Sequence, residues 1–452
     1  MSEADRDVLI VGAGAAGLLA ARELSDAGLN VTLVEARDRL GGRIHTLYSS
    51  SSRAPIELGA EFVHGRPPAL WTALHAARLG VYDVADKHWE YREGQLRPLN
   101  DFWTEVEHVL GMLRDAPDMP FAEFAKTLDD PRSRQVMPLV MAYVEGFNAA
   151  DAQRIGTRGL LESEKTSEAV GGNEMFRVIE GYGALIEAIA KGLRADRVRL
   201  RLSTVVHEIR WSPGRVIAGL RSSDGTDLPS IEAAKAVITL PLGVLQARPG
   251  ETGAVRFEPD LPAAKRTAIE MLQVGPVVKV VLRFDTPFWE NEQLPTLSAP
   301  GDARQMGFVH SREAPVPTWW TLLPVRGDTL VGWAGGPAAG ALSARAGKEG
   351  QSAVARQAVE SLGAMLGLRP AQIERHLSAW HVADWQADPF SRGAYSYLPV
   401  GGLGLARDLA EPLEQTLYFA GEATQSDGIG GTVDAALSSG QRVARKVLGA
   451  HR

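Results

Sequence analysis

The order of apolar and polar positions divides the chain into stretches of different period. Residues 8–35, "VLIVGAGAAGLLAARELSDAGLNVTLVE", open with a continuous apolar run, turn through glycines, continue at helical spacing to Gly28, and end in a second apolar run at Glu35. This pattern predicts a strand–helix–strand unit. From about Leu70 to Leu193 the apolar positions recur at helical spacing, with Trp71, Trp89, Phe102, Trp103, Phe121 and Phe124 between charged residues. That half is expected to be mostly helical. "RVRLRLSTVVHEIRW" and "GRVIAGLRSSDGTDL" alternate with the period of strands around a Pro-Gly and an Asp-Gly turn, and "AKAVITLPLGVL" adds a buried strand ended by Pro241. A helix is expected over 351–366, then an aromatic and glycine-rich loop over 385–404, then a last strand, glycine loop and helix. The Pro/Gly-rich passages near 296–317 and 335–350 read as surface connections.

One strand carries an anomaly. In "VVKVVLRF", 277–284, the period of two puts Val277, Lys279, Val281 and Arg283 on one face and Val278, Val280, Leu282 and Phe284 on the other. Either the strand is half-buried with both cations in water, or Lys279 faces something that needs a cation.

With 452 residues the chain is too long for one ordinary core and suits two domains or more. Its 45% apolar and 23% charged residues are those of a globular protein. The formal net charge of -7 argues against a nucleic-acid surface and mildly favours cationic ligands. The absence of cysteine removes disulfides, thiolate metal sites and thiol nucleophiles together. The start, "MSEADRD", lacks the basic and apolar regions of a secretory signal, and the apolar run 8–21 is too short to span a bilayer. A cytoplasmic protein without membrane, nucleic-acid or metal partners is expected, as a monomer or homodimer.

The chemistry begins with Gly12, Gly14 and Gly17, a G-x-G-x-x-G that follows a strand and opens a helix, where backbone can approach a pyrophosphate at the positive helix end. Alone this spacing also fits a tight turn with no ligand. Glu35, at the end of the second strand, is where a carboxylate accepts from an adenosine ribose. "EARDRLGGR" then places Arg37, Gly41, Gly42 and Arg43 directly behind it, a second meeting place for backbone, guanidinium and phosphate. Near the other end, "LYFAGEATQSDGIGGTVDAAL" runs from a strand through Gly421, Glu422 and more glycines into a helix near Thr432. A helix amino terminus there could stabilise negative charge on a ring, or the glycines and Thr432 could simply cap the helix.

The "Glu-Ala-Arg-x-x-x-Gly-Gly-Arg" run resembles the flavin-binding signature of amine oxidases, carotenoid desaturases and protoporphyrinogen oxidases. Together with "ELGAEFVHG", "VITLPLGVLQ", "VVKVVLRFDTPFW" and "WQADPFSRGAYSYLPVG", the chain resembles the flavin-dependent amine oxidase family over most of its length, with the polyamine oxidases and the catalytic domain of the lysine-specific histone demethylases the nearest in look. The resemblance implies an α/β fold: a Rossmann-like FAD-binding domain, discontinuous over 1–75, 195–270 and 400–452, plus a mixed α+β substrate domain over 76–194 and 271–399. It implies that Lys279 reaches the flavin N5 through a water. It also implies that Glu35 holds the adenosine ribose, Arg43 the phosphates and the Val206 backbone the adenine. Gly59, Ala60, Glu61 and Phe62 would line the ring edge, with Trp385 beside it, Glu422 near the ribityl or phosphates, and Gly421 and Val433 along the same cradle. Tyr395 and Thr432 would wall the cage around the substrate nitrogen.

His64 could tune a cationic amine by its charge or be a histidine hydrogen-bonded in its loop, while Glu61 and Glu145 either pair with distal substrate charge or sit on the surface. Ala394 stands where monoamine oxidases attach flavin through cysteine, so the FAD is expected to be non-covalent. The implied reaction moves hydride from an amine α-carbon to flavin N5, with imine, aldehyde and hydrogen peroxide as products and dioxygen as co-substrate. An L-amino-acid oxidase, needing an arginine such as Arg53, Arg66, Arg312 or Arg392 for the carboxylate, an aromatic monoamine oxidase, and a flavin-binding scaffold without turnover are the alternatives.

Overall fold

In the computed structural model, residues 7–50, 54–291, 293–298, 301–426 and 430–449 are described; Arg53 and Gly428 lie outside them. The first apolar run becomes strand Val8–Val11, the glycine turn leads into helix Ala15–Asp26, and strand Val31–Val34 lies parallel to the first. These strands are the middle of a five-stranded parallel sheet in the order 198–201, 31–34, 8–11, 235–238, 417–419. The three central strands are buried along their whole length, as a sheet covered on both faces requires. One face packs against Ala15–Asp26, Tyr182–Lys191 and Val433–Gly449. The first and last of these helices cross closely, since a Cβ at Gly440 would stand 2.5 Å from the Ala16 carbonyl oxygen. The other face meets a four-stranded sheet in the order 227–233, 215–222, 204–212, 256–258.

A seven-stranded sheet carries the rest, in the order 377–384, 277–284, 329–335, 318–320, 308–311, 88–92, 95–98. Four helices between Phe102 and Ala169 close a separate apolar cluster beside it. The molecule is thus a mixed α/β fold with one parallel sheet and several antiparallel or mixed ones. Among the described residues no helix is long and apolar enough to cross a membrane.

Three expectations change. The stretch read as mostly helical also holds strands Val81–Asp83, His88–Arg92, Gln95–Pro98 and Met175–Val178; Trp89 therefore packs from a sheet, where aromatic residues fit well. The passage near 335–350 is helix Gly336–Glu349, because its alanines favour helix more than its glycines oppose it. Within 296–317, strand Phe308–Ser311 is an interior strand of the large sheet. Finally, strand Val277–Phe284 is buried on both faces, so neither of its cations faces bulk water.

Candidate active site

Every residue singled out from the sequence as catalytic or cofactor-binding, except Gly17, lines one cavity of about 1440 Å³. Gly17 has a packing reason to be glycine: a Cβ there would stand 1.9 Å from the Gly12 carbonyl oxygen. Gly12 has φ +104°, and a Cβ at Gly14 would meet nothing nearer than 4.0 Å, so open space lies over the start of the first helix. Glu35 is buried, accepting from the Ala13 backbone N–H at 2.8 Å and from the Arg37 backbone N–H at 3.0 Å. Val206 lines the same end from strand Thr204–Ser212. A glycine cradle, a helix amino terminus and a buried carboxylate on one wall fit an adenine dinucleotide, and the volume exceeds the roughly 300–1,000 Å³ of ordinary small-ligand sites.

The two arginines and Glu422 are tied more tightly to protein than the sequence suggested. Arg37 donates to Asp388 at 2.7 Å and to Ser391 at 2.9 Å. Arg43 donates to the Ala394 carbonyl and to Glu422 at 2.9 Å. The other Glu422 oxygen accepts from the Ser396 hydroxyl at 2.7 Å, the Ser396 N–H at 3.3 Å and the Gly431 N–H at 3.1 Å. This carboxylate lines the cavity and joins the Arg43 loop, the 395–397 strand and the entry to the last helix. Thr432 caps that helix, its hydroxyl accepting from the Ala435 N–H at 3.1 Å, and Val433 begins it. Tyr395 stands against Gly431, where a Cβ would be 3.2 Å from the ring, and donates to the Phe147 carbonyl at 2.6 Å. Burial pushes its phenol pKa well up, so it presents a neutral ring. Trp385 is fixed by its indole N–H on the Leu58 carbonyl at 3.0 Å.

Lys279 is 1% exposed. Its Nζ donates to Glu61 Oε2 at 2.6 Å and to the Gly59 carbonyl at 3.2 Å, and lies 5.7 Å over the Trp320 ring. Glu61 is therefore not a surface glutamate: its second oxygen accepts from Arg177 at 2.9 Å and from the Trp320 indole at 3.0 Å. Burial alone would raise the Glu61 carboxyl pKa, but Lys279 and Arg177 together hold it below its ordinary value. Arg177 and Trp320 were not singled out from the sequence. Arg177 carried the same signal as Lys279, a lone cation in an apolar strand, "MFRV".

The remaining walls are aromatic. Phe62 meets Phe308 at 5.9 Å and Trp320 at 5.3 Å, and His64 stands edge-on to Phe147 at 5.2 Å. Burial lowers the His64 pKa to about 4, so the expected charge is absent at neutral pH and the side chain offers a neutral imidazole. Glu145 and Glu164 also line the cavity; burial raises Glu145 and pushes Glu164 up to about 7. Among the described residues no group of three or more His, Cys, Asp or Glu side chains is placed to hold a metal.

A family model for flavin containing amine oxidoreductases matches residues 15–145 and 121–448. A polyamine oxidase of rice (Oryza sativa subsp. japonica), Polyamine oxidase 4, is 30% identical over 96% of this chain and 86% of its own. Among solved structures, wild-type putrescine oxidase bound to putrescine aligns with a TM-score of 0.76 at 22% identity, over 98% of this chain and 99% of its own. Cyclohexylamine oxidase from Brevibacterium oxydans IH-35A aligns at 0.77 and 20% identity, over 99% and 100%. The chain belongs to the flavin containing amine oxidoreductase family, and is an enzyme with FAD as its cofactor.

Proposed function

We propose that the protein is an oxidase of small amines or polyamines, taking a neutral amine to an imine that water hydrolyses to an aldehyde, with dioxygen reduced to hydrogen peroxide. FAD, when bound, supplies the two-electron acceptor for the amine α-C–H bond. The chain's own residues hold it non-covalently, exclude water and aim the amine. In this reading the cofactor half is assembled from 1–75, 195–270 and 400–452, which is supported by their strands sharing the parallel sheet. The substrate half comes from 76–194 and 271–399.

The observation that carries the proposal is the pairing of a buried lysine with an aromatic enclosure in the cavity that also holds the glycine cradle. Tyr395 and Thr432 stand at one end, and neutral His64 beside Phe147 gives the amine a ring nitrogen rather than a competing charge. An ammonium bound near Glu164 would favour its ionised form, which supports a substrate with a second cationic nitrogen. An amino-acid substrate finds less support. Arg66 pairs with Glu174 and Arg392 with Glu251, both away from the cavity lining, and Arg312 lines it already paired with Glu90 at 2.9 Å.

The test is anaerobic mixing of the purified flavoprotein with spermine, phenethylamine and an L-amino acid in turn, following the oxidised-flavin absorbance. Bleaching by spermine alone supports the polyamine reading. Bleaching by phenethylamine or the amino acid moves the substrate to that class, and no bleaching with any amine overturns the oxidase reading.

A further inference from the structure

We propose that Glu61 is a positioning residue of the oxidase: it fixes Lys279 as an ammonium with a single N–H left for the cavity, and moderates the positive field that the site presents to the flavin. The proposal rests on the reading that Lys279 faces the flavin. An ammonium has three donors and can rotate freely about its stem. Two of the three are committed here, to Glu61 at 2.6 Å and to the Gly59 carbonyl at 3.2 Å, which leaves one direction for the third.

Glu61 is itself held from the far side by Arg177 at 2.9 Å and by the Trp320 indole at 3.0 Å, and Arg177 is anchored on the Thr321 carbonyl at 3.1 Å. All four side chains are at least nine-tenths buried, so the arrangement does not slide with solvent. Two cations share one carboxylate, and Arg177 Nη1 has no hydrogen-bond partner among the described residues. A net positive charge therefore remains, smaller than that of two unpaired cations. The other charged or titratable groups near Lys279 are Glu57, which burial pushes up to about 7, and Tyr82 beside Arg177. Along the same strand face lie Arg283 and, across the ladder, His381. None of these bonds to the Lys279 ammonium, so Glu61 is the charged group that sets its direction, with the Gly59 carbonyl beside it.

The experiment is the midpoint potential of the bound flavin, measured by dye equilibration between pH 6 and 9 in four holoproteins: wild type, Glu61→Gln, Glu61→Asp and Lys279→Met. Removing the carboxylate charge is expected to raise the potential at pH 6 in Glu61→Gln. Glu61→Asp should return the wild-type profile. A Glu61→Gln profile superposable on wild type, with Lys279→Met shifted, overturns the role of Glu61 and leaves the flavin reading of Lys279 standing. A Lys279→Met profile equal to wild type overturns both.

If Glu61→Gln does not accumulate as holoprotein, the double variant E61Q/K279M carries the test. The proposal expects the pair, removed as a unit, to fold and to give a potential above that of Lys279→Met, because Arg177 then lacks its carboxylate. A double variant as poor as the single assigns Glu61 to the fold through Arg177 and Trp320, and overturns the proposal.

Discussion

Lys279 and His64 face the same cavity, and burial acts on them to opposite ends. The lysine meets a carboxylate at 2.6 Å and keeps a strong partner, whereas the imidazole stands against the rings of Phe62 and Phe147 and loses its charge to burial. The consequence for His64 has a definite sign. Its pKa in the fold, about 4, lies below the ordinary 6.5, so the unfolded chain binds the extra proton first. The side chain thus contributes no acid sensitivity above pH 6.5 and a growing loss of stability as pH falls from there toward 4. His64→Ala is accordingly expected to leave the shape of the kcat/KM pH profile unchanged between pH 7 and 9, with a drop of about tenfold at most from lost contact with Phe62 and Phe147. Loss of an inflection in that range in the variant would assign the imidazole a charge-dependent role.

At the scale of elements, the glycine turn between the first strand and helix separates packing from binding. At Gly17 an added methyl would overlap the Gly12 carbonyl, so Gly17→Ala should open the turn and yield apoprotein or aggregate. At Gly14 the same methyl meets open space, so Gly14→Ala should fold with an unchanged far-UV spectrum yet retain less FAD after gel filtration. Equal flavin content in Gly14→Ala and wild type would show that the cofactor does not approach this backbone. A second element joint depends on Lys265, buried on helix Ala263–Met271, whose Nζ donates to the Asp408, Leu409 and Glu411 carbonyls at 2.7–3.0 Å and sits 4.1 Å over Phe419. It completes the carboxyl end of helix Leu405–Ala410, whose last carbonyls have no intrahelical partner. Lys265→Met keeps the volume and strands those carbonyls, and should lower stability by about 3 kcal/mol in urea unfolding. A loss below about 1 kcal/mol would mean that water reaches the joint.

At the scale of the molecule, the site exists because the two main sheets face one cavity: the parallel sheet brings the glycine cradle and Glu35, and the seven-stranded sheet brings Lys279 and the aromatic wall. The chain contains no cysteine, so no cysteinyl thioether can anchor the cofactor. Acid precipitation is therefore expected to release all yellow colour to the supernatant. Colour retained in the pellet after washing would reveal a covalent attachment through another side chain.

The sequence by itself determined the local chemistry. The strand–glycine–helix unit, the carboxylate Glu35 at the end of its second strand, the second glycine and arginine run, and the cap at Thr432 are set by neighbours within a few turns of chain, so period and residue type suffice to read them. The strand of Lys279 was legible as a strand and its lysine as an anomaly. What lay on either side of it was not, because a period of two separates faces without saying what covers them. Only the tertiary structure decided that both faces are covered. It also brought Glu61 to Lys279, 218 residues apart, and Arg177 to Glu61, 116 residues apart. It turned His64 neutral and brought Glu422 to the Arg43 loop, 379 residues away. These outcomes depend on desolvation and on charge at distances below 4 Å between segments far apart in the chain, and such distances are set only when the sheets close over the cavity.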